Sequence, residues 1–407
     1  FLFALLPAFA TAACAVLLAA WCAALGMGRR WAWSAGILLP LATFAGPMGR
    51  QSLVDPLAGA CVLGAMLLAR RRPLAAGLLI GAATGLRFNL LLLVIPLLLL
   101  RPAAGGRLRR WGLLGVGMVP AGLLLMWANL ARFGNPLETG YGAAVTGSLF
   151  SFPPLLGGAL LLLSPSRGLL LLAPILFAVG VGTRRLVRAG NGADMAMAWG
   201  CAVLAVLPSI SMSAWHGAWT WGPRYALPAL LALMPAAAAG LEVWRDAGGA
   251  KRRLSALLVG LGMAVQVPGF LVGYPTYMEA GLAARRAEEP DLTEETRTQR
   301  LLTDPGTAQP LVQARILWDR WTGRAGGDPE RLDTARLYGA PRLPSLVPAQ
   351  ATWRGFRSLW WCDAGARTGS GRGWWSAAAI LALGAWWGLR LPARAASERI
   401  APESHSQ

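Results

Sequence analysis

Long apolar runs separated by short clusters of arginine make up most of the chain, from residue 1 to residue 272. About 20 consecutive apolar residues cross the hydrocarbon core of a bilayer as a helix. The pattern therefore predicts a series of membrane-crossing helices. In chain order the predicted crossings are residues 1–27, 31–48, 52–69, 73–100, 111–129, 167–183, 195–212, 225–241, 254–272 and 374–391.

The segment 73–100 differs from the others because polar residues interrupt it in the middle, at Gly85-Leu86-Arg87-Phe88-Asn89. We interpret it as a hairpin of two short helices with a polar tip. Irregular backbone inside a membrane is tolerated where it lines protein or a wet cavity. The chain then has about ten or eleven membrane segments, and the predicted fold class is an all-α polytopic membrane protein.

The same pattern divides the whole chain into four predicted regions. Residues 1–272 form a transmembrane core, and residues 273–373 form a polar extracytoplasmic insert. The last span, 374–391, precedes a polar tail, 392–407, that we expect to be cytoplasmic and disordered. Because the chain begins inside an apolar run at Phe1, we expect the upstream part of this helix to lie before it.

Composition agrees with this prediction, because 55% of the residues are hydrophobic and only 14% are charged. A soluble globular chain carries about 25% charged residues. The 38 basic and 19 acidic residues give a net charge of +19, which in a soluble protein would indicate nucleic-acid binding. In a membrane protein the arginine clusters mark cytoplasmic loops instead. We therefore expect membrane lipids as partners and no nucleic acid.

The types of polar residue restrict the chemistry further. The five cysteines form no CxxC pair and the chain has only two histidines, which argues against a zinc site or a disulfide framework. Among the first 190 residues the only acidic side chains are Asp55 and Glu138, both on the predicted outer side.

The predicted outer ends of the helices carry a sparse set of polar side chains. Arginine binds phosphate through a planar, permanently charged fork. Such a set therefore indicates an outward-facing site for an anionic ligand. Its members are Arg50, Asp55, Glu138, Tyr141, Arg167, His216, Arg224 and Tyr225.

Each of these positions also has a purely structural interpretation. Asp55 before Pro56 is typical of a helix N-cap, and the segment with Glu138 is typical of an ordinary loop with an Arg–Glu pair. Arg167 could extend to lipid headgroups, while the turn before it could offer backbone N–H groups to an anion. The aromatic stretch 215–225 is also typical of an interfacial belt.

Three of these stretches together resemble bacterial GT-C glycosyltransferases. They are Arg132-Phe133-Gly134-Asn135-Pro136-Leu137-Glu138-Thr139-Gly140-Tyr141, Ser164-Pro165-Ser166-Arg167-Gly168-Leu169 and Trp221-Gly222-Pro223-Arg224-Tyr225. The family includes dolichyl-phosphate-mannose–protein mannosyltransferases and lipid A aminoarabinose transferases. Asp55-Pro56 looks like the acidic-Pro element that opens a cavity-lining helix there. The resemblance covers about residues 1–272 and implies a GT-C-like helical bundle.

The resemblance implies inverting transfer of a sugar from a polyprenyl-phosphate carrier to a hydroxyl of a lipid, glycan or protein acceptor. It implies a bacterial cytoplasmic membrane with the site facing the exterior. Asp55 is then the candidate catalytic carboxylate. The resemblance also implies that the family's first span, and the first outer loop with its principal acid, lie upstream of Phe1. Arg50, Arg167 and Arg224 are candidates for the phosphate, while Glu138 and Tyr141 are candidates for the sugar. The pattern requires no cofactor, and a divalent metal ion at Asp55 stays open.

Two other functions stay open at this point. A transporter or flippase of lipid-linked sugars would use the same arginines but needs a polar path across the membrane. A non-catalytic membrane scaffold is the third alternative. It is favoured if no acidic outer loop lies upstream.

Overall fold

The computed structural model describes residues 2–50, 54–100, 106–138, 150–217, 220–272 and 274–322, and the regular elements within these ranges are helices. The predictions for Tyr141, for residues 323–373 of the insert, for the span 374–391 and for the tail 392–407 lie outside the described residues.

The helices follow one another as α1 Leu2–Ala24, α2 Arg29–Ala42, α3 Ala45–Met48, α4 Asp55–Leu68, α5 Pro73–Leu86, α6 Val94–Leu99, α7 Arg107–Phe133, α8 Pro154–Leu163, α9 Leu169–Leu172, α10 Val179–Leu186, α11 Gly192–Ile210, α12 Leu227–Asp246, α13 Gly249–Leu271, α14 Tyr274–Glu288, α15 Glu294–Thr303 and α16 Gln309–Trp321. Short 3₁₀ helices occupy Phe88–Leu93, Pro174–Ala178, Arg224–Ala226 and Pro305–Thr307, and a π-helical turn occupies Val187–Asn191.

Five helical stretches are long and apolar enough to cross a membrane. They are Leu6–Ala24, Arg107–Phe133, Pro174–Ile210, Arg224–Asp246 and Gly249–Leu271, and the shorter apolar helices are Asp55–Leu68, Pro73–Leu86, Phe88–Leu99 and Pro154–Leu163. The described part of the chain is therefore all-α and has the helices of a multi-pass membrane protein. The count of ten or eleven membrane segments stays a prediction.

Helix α12 is the centre of the bundle. In the most apolar 18-residue stretch that includes α12, 89% of the stretch is buried inside the protein, whereas the share for α7 is 17%. Glycines allow α10 to approach α12 closely, because a Cβ at Gly182 would lie 1.7 Å from the carbonyl oxygen of Ala236. Packing through small residues is the usual way in which membrane helices approach one another. The outer face of α7 instead exposes large apolar side chains, as a lipid-facing helix does.

The predicted hairpin in residues 73–100 is present. Helix α5 ends before Arg87, whose backbone is extended, and the chain returns through the 3₁₀ helix and α6. The guanidinium group of Arg110 donates hydrogen bonds to the carbonyls of Ala69, Leu97 and Leu100. The end of α4 and the end of the hairpin therefore lie side by side, and Arg87 lies at the opposite tip.

The stretch Pro174–Ile210 also turns back on itself. Gly190 has a φ of 88°, which interrupts the helix between α10 and α11. The indole Nε1 of Trp199 donates a 3.2 Å hydrogen bond to Oγ1 of Thr183. Since residues on both sides of the turn are in contact, α10 and α11 run in opposite directions, as the sequence predicts.

The loops collect at two ends of the bundle. At one end, which we call the arginine-rich end, Arg70 pairs with Asp194 at 2.8 Å and Arg185 pairs with Glu242. The amide Nδ2 of Asn191 bonds to the carbonyl of Leu25 there. The opposite end, which we call the site end, holds Arg50, Asp55, Arg87, Arg167 and Arg224.

The described part of the insert forms a small helical unit on the site end. Helices α14, α15 and α16 surround a second apolar core made of Val272, Tyr277, Met278, Leu282, Ala284, Leu301, Leu302, Val312 and Ile316. The unit is attached to the bundle by polar contacts: Ser164 Oγ donates a 2.8 Å hydrogen bond to the carbonyl of Leu302.

Candidate functional site

Asp55 forms an ion pair with Arg87, which lies at the tip of the hairpin. The carboxylate is 3% exposed and the arginine side chain 16% exposed, so water screens the pair weakly. Asp55 opens α4 and Arg87 follows α5, so the break in the hairpin brings the arginine to the start of a neighbouring helix.

The N-cap interpretation of Asp55 is wrong. Val54 occupies the cap position and Asp55 is the first residue of α4. Of the two Asp55 carboxylate oxygens, Oδ1 contacts Arg87 and Oδ2 accepts no hydrogen bond from the described residues. Pro56 occupies the first turn, where its missing N–H costs nothing. The carboxylate therefore contacts another helix instead of its own backbone.

Tyr225 joins this ion pair to a second arginine. The guanidinium carbon of Arg87 lies 4.9 Å from the centroid of the Tyr225 ring, and that of Arg224 lies 5.0 Å from it. Arg224 also donates a 3.1 Å hydrogen bond through Nη2 to the Tyr225 hydroxyl. Arginines stack favourably on tyrosine rings. We call Asp55, Arg87, Tyr225 and Arg224 the site array.

Three buried polar atoms of the site array make no hydrogen bond among the described residues: Oδ2 of Asp55, Nε of Arg87 and Nε of Arg224. Nε of Arg87 contacts Asp55 in the ion pair, which leaves Oδ2 of Asp55 and Nε of Arg224 without a polar contact. Both atoms are buried, although Arg224 and Tyr225 as whole side chains are half-buried. Buried polar groups are nearly always paired, with protein, water or ligand. The array therefore presents one acceptor and one donor.

The loop before Arg224 packs tightly against helix α13 and against Phe44. The indole of Trp221 is buried and contacts Gly269, where a Cβ would lie 2.4 Å from the ring. Gly222 has a φ of 72°, and a Cβ there would lie 2.8 Å from that of Phe44. Only glycine adopts this conformation at this spacing without strain. These contacts hold the backbone that carries Arg224.

Arg167 lies beneath the insert and is fully buried. Its Nη1 donates a 3.2 Å hydrogen bond to the carbonyl of Gly222, and its Nη2 lies 4.0 Å from Sδ of Met278. Arg167 therefore connects the loop before Arg224 to the insert. It does not extend to lipid headgroups, and the helix that follows it, α9, has only four residues.

His216 lies close enough to Arg167 and Arg224 for their charges to act on its imidazole. Burial first, and then the positive charges of Arg167 and Arg224, lower its pKa from 6.5 to about 3. The imidazole is therefore neutral at pH 7 and adds no charge of its own to this region.

Two other predicted site residues, Arg50 and Glu138, make contacts elsewhere in the described chain. Arg50 donates hydrogen bonds to the carbonyls of Gly269 and Phe270, at the C-terminal end of α13. Cations at that end of a helix are favourable. Glu138 is half-buried in the turn after α7, where its backbone N–H donates to the carbonyl of Asn135. Asp55 and Arg50 are thus neighbours in sequence with different contacts.

The described residues do not fit a divalent metal ion. Within the described ranges, no group of three or more His, Cys, Asp or Glu side chains lies together. The charged partner of Asp55 is Arg87, which competes with a cation for the same carboxylate.

Arg87 is the member of the site array that sequence reasoning left out of its site set. Its signal was present in the sequence, because it is a single charge in the middle of the apolar segment 73–100. Ionisable residues within membrane segments usually pair or face a cavity. The sequence alone does not say that Asp55 is the partner.

Comparisons of the chain with protein families, curated proteins and solved structures found no match. The resemblance to GT-C glycosyltransferases therefore stays a prediction from the motifs.

Proposed function

We propose that this protein is a membrane glycosyltransferase that takes its sugar from a polyprenyl-phosphate carrier and transfers it to an acceptor hydroxyl with inversion. In this proposal the site end faces the exterior of a bacterial cytoplasmic membrane. Lipids, glycans and proteins are the acceptor classes.

The observation that carries the proposal is the excess of positive charge around Tyr225 and His216. Arg87 and Arg224 both contact the Tyr225 ring, and among the described residues the carboxylate that pairs with them is Asp55, on Arg87. An anion with charge −1 to −2, such as a lipid phosphate, complements this excess.

The chemistry of transfer fits the same residues. The leaving group is a phosphate, whose developing charge is stabilised by cations held in position before the reaction. Arg224 is half-buried and fixed by Tyr225 and the loop beneath it, so it is the candidate for this role. Arg167 is too deeply buried to contact the phosphate directly and positions the Arg224 loop instead.

Transfer tests the proposal directly. Membrane vesicles that contain the full-length protein are given a panel of polyprenyl-phosphate sugars labelled in the sugar, and the label leaving the lipid is followed. We expect transfer with the wild type and its loss in Arg224→Ala. Arg315→Ala removes an exposed arginine of the insert and should transfer like the wild type.

Two outcomes separate the proposal from the other functions. Labelled lipid that crosses the bilayer intact would indicate a flippase instead. A protein that inserts normally but neither transfers nor moves any lipid of the panel would contradict the enzyme proposal and favour a scaffold.

A further inference from the structure

We infer that the site array is a single binding site for a phosphate ester that carries a hydroxyl group, with the phosphate at Arg224 and the hydroxyl at Asp55. The inference rests on the proposed function and adds which part of the donor each residue recognises. It assigns Arg87, which is absent from the set predicted from sequence, as the residue that positions Asp55.

The first step concerns Asp55. One of its carboxylate oxygens is held by Arg87, and the other, Oδ2, is buried with no hydrogen-bond partner in the described ranges. An ionised carboxylate only accepts hydrogen bonds. A buried acceptor without a donor costs free energy, so a ligand that brings a donor gains affinity there. A hydroxyl group supplies that donor, whereas a phosphate would be repelled.

The second step concerns Arg224. Its Nη2 already donates to the hydroxyl of Tyr225, while its Nε is buried and has no acceptor among the described residues. The matching group is an acceptor, and a negative charge on it strengthens the bond. A phosphate oxygen meets both conditions.

The third step joins the two positions. The guanidinium carbons of Arg87 and Arg224 lie 4.9 and 5.0 Å from the centroid of the same Tyr225 ring, and Arg87 is paired with Asp55. Asp55 and Arg224 therefore belong to one continuous set of contacts. A sugar attached to a phosphate carries both a hydroxyl and an anion, so one ligand brings the partner that each of the two unpaired atoms lacks.

Arg87 is a positioning residue in this site. By holding one oxygen of Asp55 and stacking on Tyr225, it fixes the direction in which Oδ2 points relative to Arg224. Lysine keeps the charge but lacks the planar group that stacks and binds along two directions. Arg87→Lys should therefore recover only part of what Arg87→Ala loses.

Two lipid probes test the inference on the full-length protein in nanodiscs. One is polyprenyl phosphate and the other is a polyprenyl-phosphate hexose that the wild type transfers or binds. We expect Asp55→Asn to weaken binding of the hexose probe by about tenfold, the usual effect of losing a charge-assisted hydrogen bond. Binding of polyprenyl phosphate should be unchanged, which also shows that the variant is folded.

The remaining variants complete the pattern. Arg224→Ala should weaken both probes, and Arg87→Ala should weaken the hexose probe selectively, with partial recovery in Arg87→Lys. Arg315→Ala should bind both probes like the wild type.

Each contrary result has a distinct meaning. If the wild type binds neither probe, the proposed function is wrong and this inference falls with it. If the wild type binds both and Asp55→Asn changes neither or both equally, this inference alone is wrong. If Asp55→Asn slows transfer without weakening the hexose probe, the hydroxyl at Asp55 belongs to the acceptor, and the single-ligand site is overturned.

Discussion

The indole Nε1 of Trp221 donates a 2.8 Å hydrogen bond to Oε1 of Gln266, and Nε2 of the same glutamine donates a 2.8 Å bond to the carbonyl of Leu172. The glutamine is fully buried. It therefore connects three separate parts of the bundle: the loop before Arg224, helix α13 and the end of α9. The position of Arg224 depends on this connection as much as on its own contacts.

Replacing Gln266 with leucine should destabilise the protein and weaken lipid-phosphate binding. The indole N–H of Trp221 and the carbonyl of Leu172 would both stay buried without partners, at a cost of about 1–3 kcal/mol each. Thermal unfolding of the detergent-solubilised protein and binding of polyprenyl phosphate measure the two effects. Unfolding and binding equal to those of the wild type would show that the connection does not support the site.

The packing of Trp221 on α13 gives a second prediction with a matched control. A Cβ at Gly269 would lie 2.4 Å from the Trp221 ring, whereas Gly260 of the same helix has no atom within 4 Å of such a Cβ. Gly269→Ala should displace the loop before Arg224 and weaken polyprenyl-phosphate binding. Gly260→Ala should bind normally and raise stability by about 0.5–1 kcal/mol, since alanine favours helix.

Polyprenyl-phosphate binding is compared between these two variants to test whether the loop depends on the Trp221–Gly269 contact. Equal binding in Gly269→Ala and Gly260→Ala would contradict the loop's dependence on this contact. A loss in both would show that α13 tolerates no added methyl group at all.

The internal hydrogen bonds of the insert give a third prediction. The buried hydroxyl of Tyr277 donates 2.8 and 3.2 Å hydrogen bonds to the carbonyls of Thr307 and Leu301, and burial raises its pKa to about 12. Tyr277→Phe removes this donor from both carbonyls and leaves that of Leu301 with the Thr307 hydroxyl. We expect faster backbone hydrogen exchange in α15, while exchange in α12 stays unchanged.

A matched hydroxyl is available as the control for the insert. Thr322 is exposed and its hydroxyl donates only to the carbonyl of Trp318, one turn back. Thr322→Val should leave exchange in α15 unchanged. Unaltered exchange in Tyr277→Phe would mean that the Tyr277 hydroxyl does not stabilise α15.

The sequence predicted the helices well because apolar runs and arginine clusters are local signals. The break at Arg87 and the reversal before α11 are both visible in the sequence and present in the structure. Asp55 was in the site set predicted from sequence, but Arg87, with which it forms an ion pair, was not. Pairing between helices depends on how they pack, which no local pattern records.

Arg167 is a second residue whose contacts the sequence alone could not predict. Its sequence context, an arginine just before an apolar run, is equally typical of a ligand-binding residue and of one that extends to headgroups. The structure buries it under Met278 of the insert, more than a hundred residues further along the chain. The packing of the insert therefore decides the role of Arg167, and sequence reasoning had no means of locating that surface.

The lowered pKa of His216 gives a prediction for pH. Burial first, then Arg167 and Arg224, lower the pKa to about 3 in the folded protein, whereas the unfolded chain has a value near 6.5. Folding thus favours the neutral form. Its contribution to stability is complete above pH 6.5 and is lost as the pH falls towards 3.

His216→Gln removes this titration while it keeps a neutral polar side chain. Between pH 7 and pH 4 we expect the thermal midpoint of the wild type to fall further than that of the variant, because the other titrating groups are common to both. Midpoints that fall in parallel would contradict the lowered pKa.

Two adjacent arginines at the start of α7 give the last prediction. Arg110 is 3% exposed and donates hydrogen bonds to the carbonyls at the ends of α4 and α6, whereas Arg109 is exposed to solvent. Arg110→Leu would leave several carbonyls without donors, so we expect a loss of about 3 kcal/mol or more in stability. Arg109→Leu should change stability by less than about 0.5 kcal/mol. Because the hairpin carries Arg87 at its other tip, Arg110→Leu should also weaken binding of the hexose probe. Equal unfolding of the two variants would show that apolar packing alone holds the hairpin.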